Sequence, residues 1–219
     1  MDYGPFTYNL RVVVNRTLAQ VLSVLFHPIL LPTYLFGIIL YGLPPATITF
    51  PMERRWAVLV LVFCTTFIIP GLGTYFMYRH GYVGNLLLEH RPERNIPFFF
   101  TTVCFAITAY LFYQEAYFDR LFFYIMTLIT LSVFLTFLFS FRWKISAHAV
   151  GLGGALGILF LLNKVLPENQ LLYIIVAAII LTGLVLSARL ELEAHTPVEV
   201  YSGFLLGFSV CFGMLMATG

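Results

Sequence analysis

LFFYIMTLITLSVFLTFLFSF, residues 121–141, contains no charged side chain from one end to the other. Crossing the hydrocarbon of a bilayer as a helix takes about 20 such residues. The run is too long and too evenly apolar for a barrel strand, in which lipid-facing and lumen-facing residues alternate. Inside lipid the backbone N–H and C=O groups must pair within the segment, and a helix achieves that alone. The stretch therefore predicts a transmembrane helix. Its aromatic, featureless character predicts a lipid-facing wall.

Similar runs lie on both sides of it, at about 18–42, 56–78, 97–114, 147–163, 170–188 and 198–218. The 219 residues are 60% hydrophobic and only 10% charged, against about 25% charged for a soluble domain. No protein interior of this size hides that much apolar surface, so lipid must cover the rest. The expected fold is all-α, a polytopic transmembrane helical bundle of six or seven spans, in one domain over residues 1–219. A net charge of +2 gives no reason to expect nucleic acid as a partner. MDYGPFTYNL at the start has no basic run and no small-residue cleavage site, so no cleaved signal is expected. Cys64, Cys104 and Cys211 fall singly in apolar runs and read as small fillers.

Proline marks the turns and bends. Pro44, Pro45 and Pro51 end the first hairpin, and Pro167 precedes the sixth span. Pro28, Pro32 and Pro70 lie within spans and predict kinks. Glycines at 153 and 157, and at 203 and 207, form small-residue faces that allow two spans to pack closely. If the spans alternate in direction, three polar segments share one face of the membrane. They are RHGYVGNLLLEHRPERNIPF (79–98), FRWKISAHAVGLGG (141–154) and SARLELEAHTPVEVYSG (187–203).

These segments bring Arg91, Arg94, Lys144 and Arg189 to one face, and guanidinium forks suit phosphate oxygens. Ser146 opens the fifth span, where free backbone N–H groups favour an anion. His148 and His195 come from different segments and suit a divided task, one attacking phosphorus and one protonating the leaving oxygen. Glu199 follows His195 by one helical turn and can hold its imidazole in one tautomer. Thr196-Pro197-Val198-Glu199 also reads as a capping box with proline at the first helical position.

The order R-P, then S-x-H, then R-x5-H-x3-E resembles the signature of the type 2 phosphatidic-acid phosphatase superfamily of integral membrane lipid phosphatases, over about residues 79–205. The resemblance implies His195 as the nucleophile forming a phosphohistidine, Glu199 as its orienting carboxylate and His148 as the general acid. It implies that Arg189, Arg91 and Ser146 bind phosphate, without a metal ion or other cofactor. It further implies a lipid phosphate substrate in the bilayer, such as phosphatidic acid, phosphatidylglycerol phosphate, a polyprenyl pyrophosphate or a lipid A phosphate, and no obligatory protein partner. The chain departs from the signature at Gly84, where the family has lysine, at Ile145 and Ala147 for proline and glycine, and at Glu199 for aspartate. Ala188 also separates Ser187 from Arg189. Arg94 or Lys144 is the expected source of the missing charge.

Two other readings use the same residues. A transporter or flippase of an anionic lipid or solute would bind through the arginines and helix starts without chemistry. A zinc hydrolase would use His148, His195 and Glu199 as ligands, although the surrounding cations oppose a dication. Glu191 and Glu193 read as a solvated rim, Arg79 and Arg142 as membrane-edge anchors, and His80 and His90 as ordinary interfacial residues. His27 is either functional, as an ionisable group within a span usually is, or a neutral imidazole bonded to a carbonyl freed by Pro28 or Pro32. With the four site cations set aside, Arg11, Arg16, Arg79 and Arg142 on one face balance Arg54, Arg55, Arg120 and Lys164 on the other. The positive-inside rule then assigns no orientation. The resemblance leans towards a bacterial inner membrane with the site facing the periplasm.

Overall fold

The computed structural model describes residues 15–86, 88, 91–166 and 170–213, with Arg91 and Ala46 described in backbone alone. Arg11, Pro167, His90 and the Arg91 side chain therefore lie outside the described residues. Among the described residues the structure is all-α, without strands. We label its helices α1 (Arg16–Leu25), α2 (Leu31–Gly42), α3 (Met52–Arg79), α4 (Asn95–Gln114), α5 (Arg120–Ser140), α6 (Ala147–Val165), α7 (Leu172–Glu191) and α8 (Pro197–Gly213). Five of them, α3 to α7, are long and apolar enough to cross a membrane, which marks an integral membrane protein. α8 is a shorter apolar helix over its described residues.

The expected single span at 18–42 is instead two short helices. α1 stops at Leu25 and α2 starts at Leu31, with turns closed by Leu30 N–H to the His27 carbonyl and Leu31 N–H to the Pro28 carbonyl. Pro28 lacks an N–H and disfavours helical backbone at His27 before it. Pro32 does not kink a span, because it occupies the first turn of α2, where a missing N–H costs nothing. Pro70 lies inside α3 and cannot donate to the carbonyl one turn back. A wide π turn at Cys64–Ile68 precedes it.

α5 is more than a wall. Its inner face buries Phe122, Ile125, Met126 and Leu128, then Ser132, Thr136 and Ser140 towards its end, and it pairs extensively with α4. Phe36, Phe112 and Phe122 form an aromatic core at the end of the bundle away from the three polar segments, with Phe36 and Phe112 stacked at 5.7 Å. Arg55 is buried there, with its guanidinium donating to the carbonyls of Phe50 and Leu40.

At the other end α6 and α8 cross in close contact. A Cβ on Gly203 would lie 2.8 Å from the Ser146 carbonyl oxygen, and one on Gly157 would lie 2.9 Å from that of Phe208. Gly153 against Phe204 and Gly207 against Val150 are tighter still. The small-residue faces expected from the sequence thus bring backbone against backbone. A second, smaller core of Ala19, Leu22, Leu31, Leu152, Val185 and Ala188 packs α1 against α6 and α7. We predict that Gly153→Val lowers stability by about 1–3 kcal/mol, the usual cost of overpacking. Gly183→Ala, which meets open space, should be neutral or stabilising by up to about 1 kcal/mol through helix propensity. Thermal unfolding of the two variants in detergent checks both.

Candidate functional site

Thr196 caps α8, and the capping box is complete: the Glu199 N–H donates to Thr196 Oγ1 at 3.4 Å and the Thr196 N–H to Glu199 Oε2 at 3.1 Å. The same Oε2 lies 3.0 Å from Nδ1 of His195, just before the cap. The two readings of Glu199 therefore hold together, since one carboxylate oxygen caps the helix and faces the histidine. With Nδ1–H donated to Glu199, the lone pair of a neutral His195 ring is on Nε2. Burial, with the Arg94 guanidinium and then Arg189 adding to it, outweighs the Glu199 bond and holds the His195 imidazole down to about 4. At neutral pH the ring is an uncharged base with one nitrogen fixed.

Arg94 is buried and donates from Nε to the Leu88 carbonyl at 2.7 Å and from Nη1 to that of Ile145 at 3.3 Å. It thereby ties the segment before α4 to the segment before α6 and brings its charge to His195. Position 84 does not face this cluster with a cation: a Cβ there would lie 3.0 Å from Glu93 Oε1. Arg189, in the last turn of α7, donates from Nη1 to Ser23 Oγ at 3.1 Å, while its buried Nε has no protein partner. Lys144 is half-buried at the edge and joins the cluster through no hydrogen bond among the described residues.

Ser146 sits at the N-cap of α6 without capping it. Its N–H donates to the Glu199 carbonyl at 3.2 Å, which locks the starts of α6 and α8 together, and its buried Oγ has no partner. His148 is buried with Nε2 3.0 Å from the Ser23 carbonyl, leaving Nδ1 as its other ring nitrogen. Ser23 thus holds both His148 and Arg189, a role not assigned from the sequence. The available signal was a polar residue on the buried face of α1, beside Ala19 and Leu22. His27 meets His148 edge to face, with ring centres 5.8 Å apart. Its imidazole has no hydrogen-bond partner among the described residues, so it is not the carbonyl-bonded ring that the prolines allowed.

His195, Glu199, Arg94, Arg189, Ser146 and His148 therefore converge at one end of the bundle. His80 is exposed, with Nδ1 2.9 Å from the Phe76 carbonyl. Glu193 is exposed in a turn with φ of 51°. Among the described residues no group of three or more His, Cys, Asp or Glu side chains could hold a metal ion, which leaves the zinc reading without its ligand set. No known family model, curated protein or solved structure matches the chain.

The depressed His195 value sets a pH dependence. The folded value, about 4, lies below the ordinary one of about 6.5. The stability it contributes is therefore complete above about pH 6.5 and lost as pH falls towards 4. The gap in unfolding midpoint between the wild type and His195→Gln should change across that window and stay flat above it.

Proposed function

We propose that this protein is a membrane-embedded lipid phosphate phosphatase working through a phosphohistidine, a divergent member of the type 2 phosphatidic-acid phosphatase superfamily. The observation that carries the reading is the neutral His195 fixed by Glu199, set beside Arg94, Arg189 and two buried donors without protein partners, Ser146 Oγ and Arg189 Nε. Buried polar atoms normally find partners, and phosphate oxygens supply them in a cationic site.

In the first half-reaction the Nε2 lone pair of His195 forms a bond to phosphorus as the bond to the bridging oxygen breaks. That oxygen takes a proton from His148 and leaves as an alcohol, or as a phosphate where the substrate is a diphosphate. Glu199, accepting the Nδ1 proton, stabilises the positive ring that results. Arg94, Arg189 and Ser146 hold the equatorial oxygens, and the resemblance adds Arg91. Water then attacks the phosphohistidine, its proton passes to His148, and the N–P electron pair returns to His195. A phosphate held at helix ends, with the tail in lipid, fits a substrate already dissolved in the bilayer. The resemblance leans towards a site on the periplasmic face of a bacterial inner membrane.

Phosphate release from lipid phosphates by the purified protein in lipid tests the reading. His195→Gln should remove essentially all turnover while the protein stays folded, EDTA should leave activity unchanged, and vanadate should inhibit. Binding of lipid phosphate without release of inorganic phosphate would turn the assignment to a transporter. For Glu199→Gln we expect stability within about 1 kcal/mol, since glutamine also closes a capping box. Its turnover should fall by at least about a hundredfold, and Glu199→Asp, which keeps the charge, should retain far more.

A further inference from the structure

The break between α1 and α2 supplies an acceptor to the site. In a continuous helix the Ser23 carbonyl would accept from the N–H four residues on, that of His27. α1 ends at Leu25, and the His27 N–H turns instead to the Val24 carbonyl at 3.3 Å. The Ser23 carbonyl is thus one of those that a helix end leaves open to other donors. His148 uses it, with Nε2 3.0 Å from that oxygen. A carbonyl only accepts, so Nε2 carries a hydrogen and the lone pair of the neutral ring is on Nδ1. His195 is the reverse, with its hydrogen on Nδ1 facing Glu199 and its lone pair on Nε2. The end of α1 and the start of α8 therefore set the two histidines in opposite tautomers.

The Ser23 side chain makes a second bond into the cluster. Its Oγ accepts from Nη1 of Arg189 at 3.1 Å, across 166 positions of chain. The guanidinium is planar and rigid, so a hold on Nη1 also orients Nε, the buried donor that no protein group satisfies. Ser23 is itself buried, beside the core of Ala19, Leu22, Leu152, Val185 and Ala188 that packs α1 against α6 and α7. Both bonds therefore start from one residue on a packed face.

We infer that Ser23 is a positioning residue for the reaction: its carbonyl selects Nδ1 of His148 as the nitrogen that carries the proton, and its hydroxyl aims Arg189 at the phosphate. This deepens the phosphatase reading and rests on it. The Nε2–H of His148 stays on the Ser23 carbonyl throughout. The proton on Nδ1 passes to the bridging oxygen as the P–O bond breaks and the bond from His195 Nε2 to phosphorus forms. In the second half-reaction water forms the new P–O bond, its proton goes to Nδ1, and the N–P electron pair returns to His195. Each cycle consumes one water and leaves both rings as they began.

Proton–nitrogen correlation spectra of isotope-labelled histidine in lipid nanodiscs read the tautomers, with the His148 signal assigned by its loss in His148→Gln. We expect a neutral His148 protonated at Nε2 and a neutral His195 protonated at Nδ1. Ser23→Ala keeps the carbonyl and removes the hydroxyl, so the His148 tautomer should persist. Its KM for dodecyl phosphate should rise at least about tenfold, the scale of one hydrogen bond to a charged group, with kcat within about threefold, because Arg189 holds the phosphate in ground and transition states alike. Ser23→Thr, which restores a hydroxyl, should return KM close to the wild-type value. A neutral His148 protonated at Nδ1, an unmoved KM in Ser23→Ala, or a fall in kcat alone, as a merely packing serine would give, would overturn the assignment while leaving the phosphatase reading intact. A wild-type protein that releases phosphate from neither dodecyl phosphate nor p-nitrophenyl phosphate would instead remove the phosphatase reading whatever the tautomers, and this inference with it.

Discussion

The backbone contact between α6 and α8 fixes everything at the polar end of this molecule. Gly153, Gly157, Gly203 and Gly207 remove the side chains that would keep the two helices apart. Their starts then come close enough for the Ser146 N–H to reach the Glu199 carbonyl. Ser146 and His148 open one helix, and His195 and Glu199 frame the start of the other. In lipid no hydrophobic force draws helices together, so shape and polar bonds must do so. The features that join these helices are therefore also the features that assemble the site.

Charge is the second constraint. Arg94 and Arg189 converge on a region where Glu199 is the carboxylate bonded to the histidine, and that carboxylate is engaged twice over. Arg94 spends donors on the carbonyls of Leu88 and Ile145, and Arg189 spends one on Ser23. These bonds orient the guanidinium groups without neutralising them. Burial, with the remaining positive field of Arg94 and then Arg189 added to it, keeps His195 uncharged, and an uncharged imidazole is the form that can attack phosphorus.

Much of this was legible in the sequence because the strongest signals are long or repeated. Uninterrupted apolar runs located α3 to α7, and glycines four apart identified the α6–α8 contact. The R-x5-H-x3-E spacing placed Arg189, His195 and Glu199 together because one end of α7 and the start of α8 are joined by a short turn. The break at Phe26–Leu30 was harder to read, since Pro28 and Pro32 are equally compatible with a kinked span and only packing decides. Ser23 gave a faint signal because its contacts are with residues 125 and 166 positions away. The burial of Arg55 was not legible because it depends on where Phe50 and Leu40 present their carbonyls.

The shortness of α1 has its own consequence. Its ten residues rise about 15 Å, half the hydrocarbon thickness of about 30 Å. Its outward side carries Leu18, Val21, Val24 and Leu25, all exposed. Such a helix is too short to cross by itself, and its apolar outer side lies opposite Ser23, which grips His148 and Arg189 on the inner side. Any shift of α1 against α6 and α7 is therefore passed directly to two groups of the cluster through a single serine.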